Sequence, residues 1–175
     1  MKMVQESLLN GTNYDYADAY DKEFVSNRKD INSTTVGKLF FSSGPKWMEV
    51  LFKLRNRLVK LFGLKTSGTA RDKDELLKKF KCKPGEQLGL FKVFEKNERE
   101  VVIGEDDKHL NFRVSLLLSE GIELKRILTI TTTVKFNNRF GKIYFAVIKP
   151  FHKAVVKSMV NGIIVQLSSA TEEKS

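Results

Sequence analysis

Apolar residues change their spacing twice along the chain. From Tyr14 to Val25 they alternate, with Tyr14, Tyr16, Asp18, Tyr20, Lys22 and Phe24 on one face and Asp15, Ala17, Ala19, Asp21, Glu23 and Val25 on the other. Period two with aromatics predicts an opening strand, and its many acids place it at a sheet edge. Helical spacing follows. Ser33 or Thr34 can cap a short helix to about Phe41, ended by Ser42-Ser43-Gly44. Pro45 suits the first turn of a second helix. There Trp47, Leu51, Leu54, Leu58 and Leu61 recur at spacings of four and three, and Gly63 stops the run. Residues 65–85 are expected to form a long loop, in which Asp72 to Phe80 could make a helical turn or two between the boundaries Ser67-Gly68 and Pro84-Gly85.

From Gln87 the period returns to two. Strands are predicted near Gln87–Glu95, Glu100–Gly104, His109–Ser119, Glu123–Phe136 and Lys142–Lys149, joined by short polar turns. Each offers one apolar face, such as Leu110, Phe112, Val114, Leu116 and Leu118, or Leu128, Ile130, Val134 and Phe136. Pro150 then opens a closing helix with Val155, Val156, Met159, Val160, Ile163, Ile164 and Leu167 as its apolar stripe. Gly162 within that stripe weakens a helix by about 1 kcal/mol against Ala, so close packing or a bend is expected there. The order implies an α+β fold: a curved antiparallel sheet of six to seven strands, two helices after the first strand, and a long C-terminal helix across the apolar face. Residues 14–168 read as one domain, with a loose segment at 1–13 and a frayed tail at 169–175.

Composition narrows this further. The 175 residues are 41% hydrophobic, enough for a real core and against wholesale disorder. No apolar run reaches the roughly 20 residues of a membrane span, and Met1 to Glu6 lack the apolar stretch of a secretory leader, so a cytoplasmic protein is expected. Lys and Arg number 31 against 21 acids, a net charge of +10. Twelve of those cations face four acids between Lys46 and Lys83, so +8 of the excess sits there. A basic patch can draw polyanions or an acidic protein partner. However, no zinc-finger spacing, zipper heptad or ribonucleoprotein motif accompanies it, and Trp47, Phe52 and Phe62 fall on apolar positions. A solvated basic face is the simpler reading, and nucleic acid is not expected as a partner. The single Cys82 excludes an internal disulfide, and Lys81 and Lys83 beside it would lower its thiol pKa.

Several strings carry a family resemblance. They are Pro45-Lys46-Trp47, Leu54-Arg55-Asn56, Phe62-Gly63-Leu64-Lys65, Asp106-Asp107-Lys108-His109-Leu110-Asn111-Phe112-Arg113, Thr131-Thr132-Thr133-Val134 and the run from Tyr144 to His152. The chain thus resembles a bacterial family, the domain of unknown function 2867 family, within the START and birch-pollen-allergen superfamily, also called SRPBCC. That resemblance implies a helix-grip fold, in which the sheet wraps the last helix and a cavity commonly remains between them. It implies no activity, and function must be argued from the site.

The Asp106-to-Arg113 block is the strongest candidate site. In a strand His109, Asn111, Arg113 and Ser115 share one face, where an imidazole, an amide and a guanidinium can bind a carboxylate or phosphate. If the opposite face is the buried one, this row meets solvent instead. His152, read as lying at a helix start where a neutral imidazole is favoured, is a second acid–base candidate. The expected ligand walls are Phe91, Phe112, Leu116, Ile130, Phe145, Met159 and Ile163, because large rigid apolar side chains suit a hydrophobic pocket or a filled core equally well. No cofactor motif and no metal-ligand spacing are present. The leading expectation is a protein that binds a small hydrophobic or amphipathic molecule between sheet and closing helix. The alternatives are a cyclase- or hydratase-like enzyme using His109, Arg113 or His152, and a basic interaction module for an acidic partner.

Overall fold

A computed structural model describes residues 6–28, 30–44, 73–122 and 124–169. In chain order it contains β1 (Tyr16–Val25), α1 (Ser33–Ser42), α2 (Lys73–Lys79), β2 (Gln87–Leu88), β3 (Phe91–Lys96), β4 (Glu100–Asp106), β5 (Leu110–Glu120), β6 (Lys125–Phe136) and α3 (Arg139–Ser169). The fold is α+β, a curved six-stranded antiparallel sheet in the order β1-β6-β5-β4-β3-β2 with a long C-terminal helix. The first strand returns to pair with the last, which leaves β1 at one edge, as its acids suggest.

Two expectations about the C-terminal helix are corrected. Lys142–Lys149 is not a strand, and Pro150 does not open the closing helix: α3 begins at Arg139 and carries Pro150 inside it. The start is set by Asn138, whose Oδ1 accepts from Gly141 N (3.0 Å) while its carbonyl accepts from Lys142 N (3.3 Å). Gly141, Phe145, Ile148 and His152 then recur at helical spacing on the face turned to the sheet. An interior proline disfavours a helix by about 3 kcal/mol, which the packing of this face offsets. The region 65–85, expected as a long loop with room for a helical turn or two between Asp72 and Phe80, contains α2 there. The helix expected from Pro45 to Gly63, with Trp47 and its leucines, falls outside the described residues, as does most of the basic region.

α3 runs along β1 in the same direction. Lys149 Nζ sits 4.7 Å from the Tyr16 ring, His152 bonds Asp18, Lys157 Nζ sits 5.6 Å from the Tyr20 ring, and Lys22 donates to Asn161 Oδ1. Below this edge the main core joins Leu128, Ile130, Leu116 and Val114 to Val156, Met159, Val160 and Ile163, with Phe40 and Phe41 of α1. A smaller cluster of Leu110, Val134 and Phe145 lies toward the start of α3, and Phe112 packs against both. Gly162 allows close packing, but on α1 rather than the sheet: a Cβ there would lie 3.0 Å from the Ser43 carbonyl.

The other face of the sheet is also covered. Glu100 has no exposed surface, yet its carboxylate accepts from Ser7 Oγ (2.7 Å), Leu8 N (2.7 Å) and Ser115 Oγ. Three donors offset the desolvation of that charge. The segment before β1, expected to be loose, is therefore tied down from Ser7 to Leu9, and Leu9 is buried.

Gly141 provides a test with an inverted sign. Gly to Ala in a helix normally stabilises by about 1 kcal/mol. A Cβ at Gly141 would meet the His109 carbonyl oxygen at 2.0 Å, so Gly141→Ala is expected to destabilise by about 3 kcal/mol in urea unfolding.

Candidate functional site

The Asp106-to-Arg113 block forms a lock between two turns. Asn137 N donates to the His109 carbonyl (2.9 Å), and Asn137 Nδ2 reaches the Asp107 carbonyl (2.7 Å) and Asn111 Oδ1 (2.8 Å). Asn138 Nδ2 donates to the Lys108 carbonyl (3.1 Å) and lies 3.0 Å from His109 Nδ1, while the His109 ring packs on Phe140. These bonds fix the β4–β5 turn against the start of α3. Arg113 lies on the opposite sheet face, 3.5 Å over the Phe94 ring, and donates to Asp106 Oδ1 (2.7 Å). Ser115, two residues on, is buried on Glu100 rather than facing solvent. His109, Arg113 and His152 therefore occupy three separate environments.

His152 is not at a helix start. It lies mid-helix, half-buried, with Nε2 3.2 Å from Asp18 Oδ1, and the Tyr16 hydroxyl donates to Asp18 Oδ2 (2.7 Å). Burial alone pushes the Asp18 carboxyl up, but hydrogen bonds from His152 and Tyr16, with the charges of His152 and Lys153, hold it below the usual range. Burial first, then the hydrogen bond to Asp18 and the Asp18 charge, push the Tyr16 phenol up, so it remains a donor. Thr132 pairs with Asp18 across the β1–β6 ladder. Its hydroxyl is buried and has no hydrogen-bond partner among the described residues.

Asp18, Thr132 and His152 form a polar belt inside an apolar interface. Tyr16, Val134 and Phe145 lie on one side of it, and Tyr20, Ile130 and Val156 on the other. Of the expected ligand walls, Leu116, Ile130 and Ile163 have no exposed surface, and Phe145 and Met159 are nearly as covered. Phe91 and Phe112 remain half-buried, edge to face at 5.7 Å, in an array that continues through Phe40 and Phe41.

A cleft of about 530 Å³ lies elsewhere, where the N-terminus of α1 meets the β3–β4 turn and the far ends of β5 and β6. None of the expected site residues lines it. The helix end offers no free amide there, since Asn32 Oδ1 takes Thr34 N and Thr35 N and the Glu98 carbonyl takes Ser33 N. Cys82 is fully buried against Gly37, and burial pushes its thiol up to about 11, the reverse of the lowering expected from its flanking lysines. Among the described residues no group of three or more His, Cys, Asp or Glu gathers for a metal. No helix there is long and apolar enough to cross a membrane.

The profile of a family of proteins of unknown function, DUF2867, matches residues 11–159. The chain belongs to the DUF2867 family. The DUF2867 match includes Tyr16, Asp18, Thr132 and His152 as well as the whole turn lock. No curated protein matches the chain.

Asp18 and Thr132 are absent from the candidates read in the sequence, although both left a trace there. Asp18 is an acid on a face otherwise carrying Tyr16 and Tyr20, and Thr132 is the gap in the series Leu128, Ile130, Val134.

Asp18 has a pH signature. Its lowered pKa adds stability that is present above the unfolded value and lost as pH falls through the folded one. Asp18→Asn is expected to lose about 1–3 kcal/mol at neutral pH. The difference should shrink toward zero below the ordinary carboxylate range, read as urea midpoints at both pH values.

Proposed function

We propose that the sheet and α3 form a helix-grip fold that binds a small amphipathic molecule, its polar group engaged by the Asp18–Thr132–His152 belt and its apolar part against Phe112 and Phe91. The single observation that carries this reading is the Thr132 hydroxyl. A buried hydroxyl without a partner costs about 1–3 kcal/mol, and a ligand oxygen or N–H placed there would remove that cost. Asp18, the cross-strand pair of Thr132, holds His152 through Nε2, so three polar side chains gather within an apolar interface. Phe91 and Phe112 are the walls that retain surface for the apolar part, since Leu116, Ile130 and Ile163 are fully covered. A cytoplasmic location belongs to the same reading.

A second reading has one specific observation behind it. His152 held by Asp18 matches a general acid–base pair, the arrangement in which a carboxylate fixes an imidazole's tautomer and orientation. It suits hydration or cyclisation of the bound molecule, without help from His109 or Arg113. The alternative of a basic interaction module rests on the Lys46–Lys83 region, and most of that region is outside the described residues.

Thr132→Val separates binding from packing. It keeps the side-chain shape and removes the unpartnered hydroxyl, so the ligand-free protein should gain about 1 kcal/mol in urea unfolding. Native mass spectrometry of the purified wild-type chain should show a bound small molecule, held about tenfold more weakly by the variant. A destabilised Thr132→Val, or a wild type that takes up no ligand from an offered set of fatty alcohols and sterols, would contradict the proposal.

A further inference from the structure

α3 has a second apolar face, directed away from the sheet. Ile143, Ala146, Val147, Pro150, Phe151 and Ala154 follow the spacing of three and four that places residues on one side of a helix. All six are exposed, Ile143 at 65%, Val147 at 57% and Phe151 at 48%. The stripe extends over about 17 Å. Isolated exposed apolar residues need no explanation, but an uninterrupted stripe opposite a buried face does.

Charge decides what covers it. The 31 residues of α3 contain Arg139, Lys142, Lys149, Lys153 and Lys157 and no acid. Lys142, Lys149, Lys153 and Lys157 follow one another along one flank of the stripe, and none of the four lies within 4 Å of a carboxylate among the described residues, although the Lys153 charge acts on Asp18. Lys149 and Lys157 hold their ammonium groups over the rings of Tyr16 and Tyr20, which keeps that charge along the α3–β1 edge. A second copy meeting the stripe would bring a like-charged flank with it. A convex helix also offers no groove for a peptide. An apolar stripe bordered by lysines is the pattern of a helix lying in the plane of an anionic lipid interface.

We propose that the outward face of α3 docks on an anionic membrane surface, with Val147 and Phe151 entering the acyl boundary and the lysine flank meeting the headgroups. This surface is separate from the polar belt, and the inference stands whether or not a ligand binds there.

Co-sedimentation of the full chain with phosphatidylcholine vesicles, with and without phosphatidylserine, tests it. The expected result is binding about a thousandfold tighter to the phosphatidylserine vesicles, the effect of four lysines at a charged surface. That preference should weaken as salt screens the charges. Val147→Asp and Phe151→Asp change exposed positions, so circular dichroism should match the wild type while vesicle binding falls about tenfold or more. Absent binding, equal affinity for both vesicles, or phosphatidylserine binding that survives both variants would each overturn the proposal. So would a dimer broken by Val147→Asp in a protein that ignores vesicles, which would assign the stripe to a second copy.

Discussion

Four residues of an α-helix rise about 6 Å and two residues of a strand about 6.7 Å, and the sheet–helix half of this protein depends on that near-equality. α3 lies along β1 so that Lys149, His152 and Lys153, Lys157 and Asn161 meet Tyr16, Asp18, Tyr20 and Lys22 in turn. The match holds only while the helix starts in the right place. Asn138 sets that start, and the contact of Gly141 with the His109 carbonyl fixes its distance from the β4–β5 turn. A motif with the look of an active site is thus the part that brings His152 level with Asp18.

Three consequences follow from one alignment. The inner face of α3 divides between a small apolar cluster around Phe145 and the large one around Ile163, bridged by Phe112. The polar belt lies at the division, where an ionised Asp18 is held by the neighbours that lower its pKa. The remaining face of the helix carries an apolar stripe with lysines along its flank. One helix therefore supplies a wall of the core, one member of a proton-bearing pair and an exposed amphipathic surface.

Much of this fold is legible in the sequence because alternation and antiparallel pairing leave strong traces. β1, β5 and β6 appear close to their final limits, and the acids of β1 place it at an edge. Lys142–Lys149 reads as a strand because Ile143, Phe145 and Val147 alternate. Helical spacing is present too, but Ile143 and Val147 belong to an exposed stripe while Phe145 and Ile148 face the core. Two apolar faces on one helix blur its period, and Pro150 adds a false boundary. The candidate site was harder to see. His152 is visible as a residue type, whereas Asp18 and Thr132 become partners only when β1 crosses the chain to pair with β6, a contact more than a hundred residues apart. Their trace was each residue's mismatch with its own apolar face.

The chain contains two histidines, and only His152 belongs to the belt. Nitrogen-15 NMR of the imidazole rings therefore reads the central claim directly, with His109 in the turn lock as an internal reference. Titration with a fatty alcohol such as decanol should shift the His152 ring nitrogens progressively and to saturation while those of His109 stay in place. An unmoved His152 ring in the presence of a demonstrably bound amphiphile, or a shift confined to His109, would contradict the assignment of the belt as the binding site.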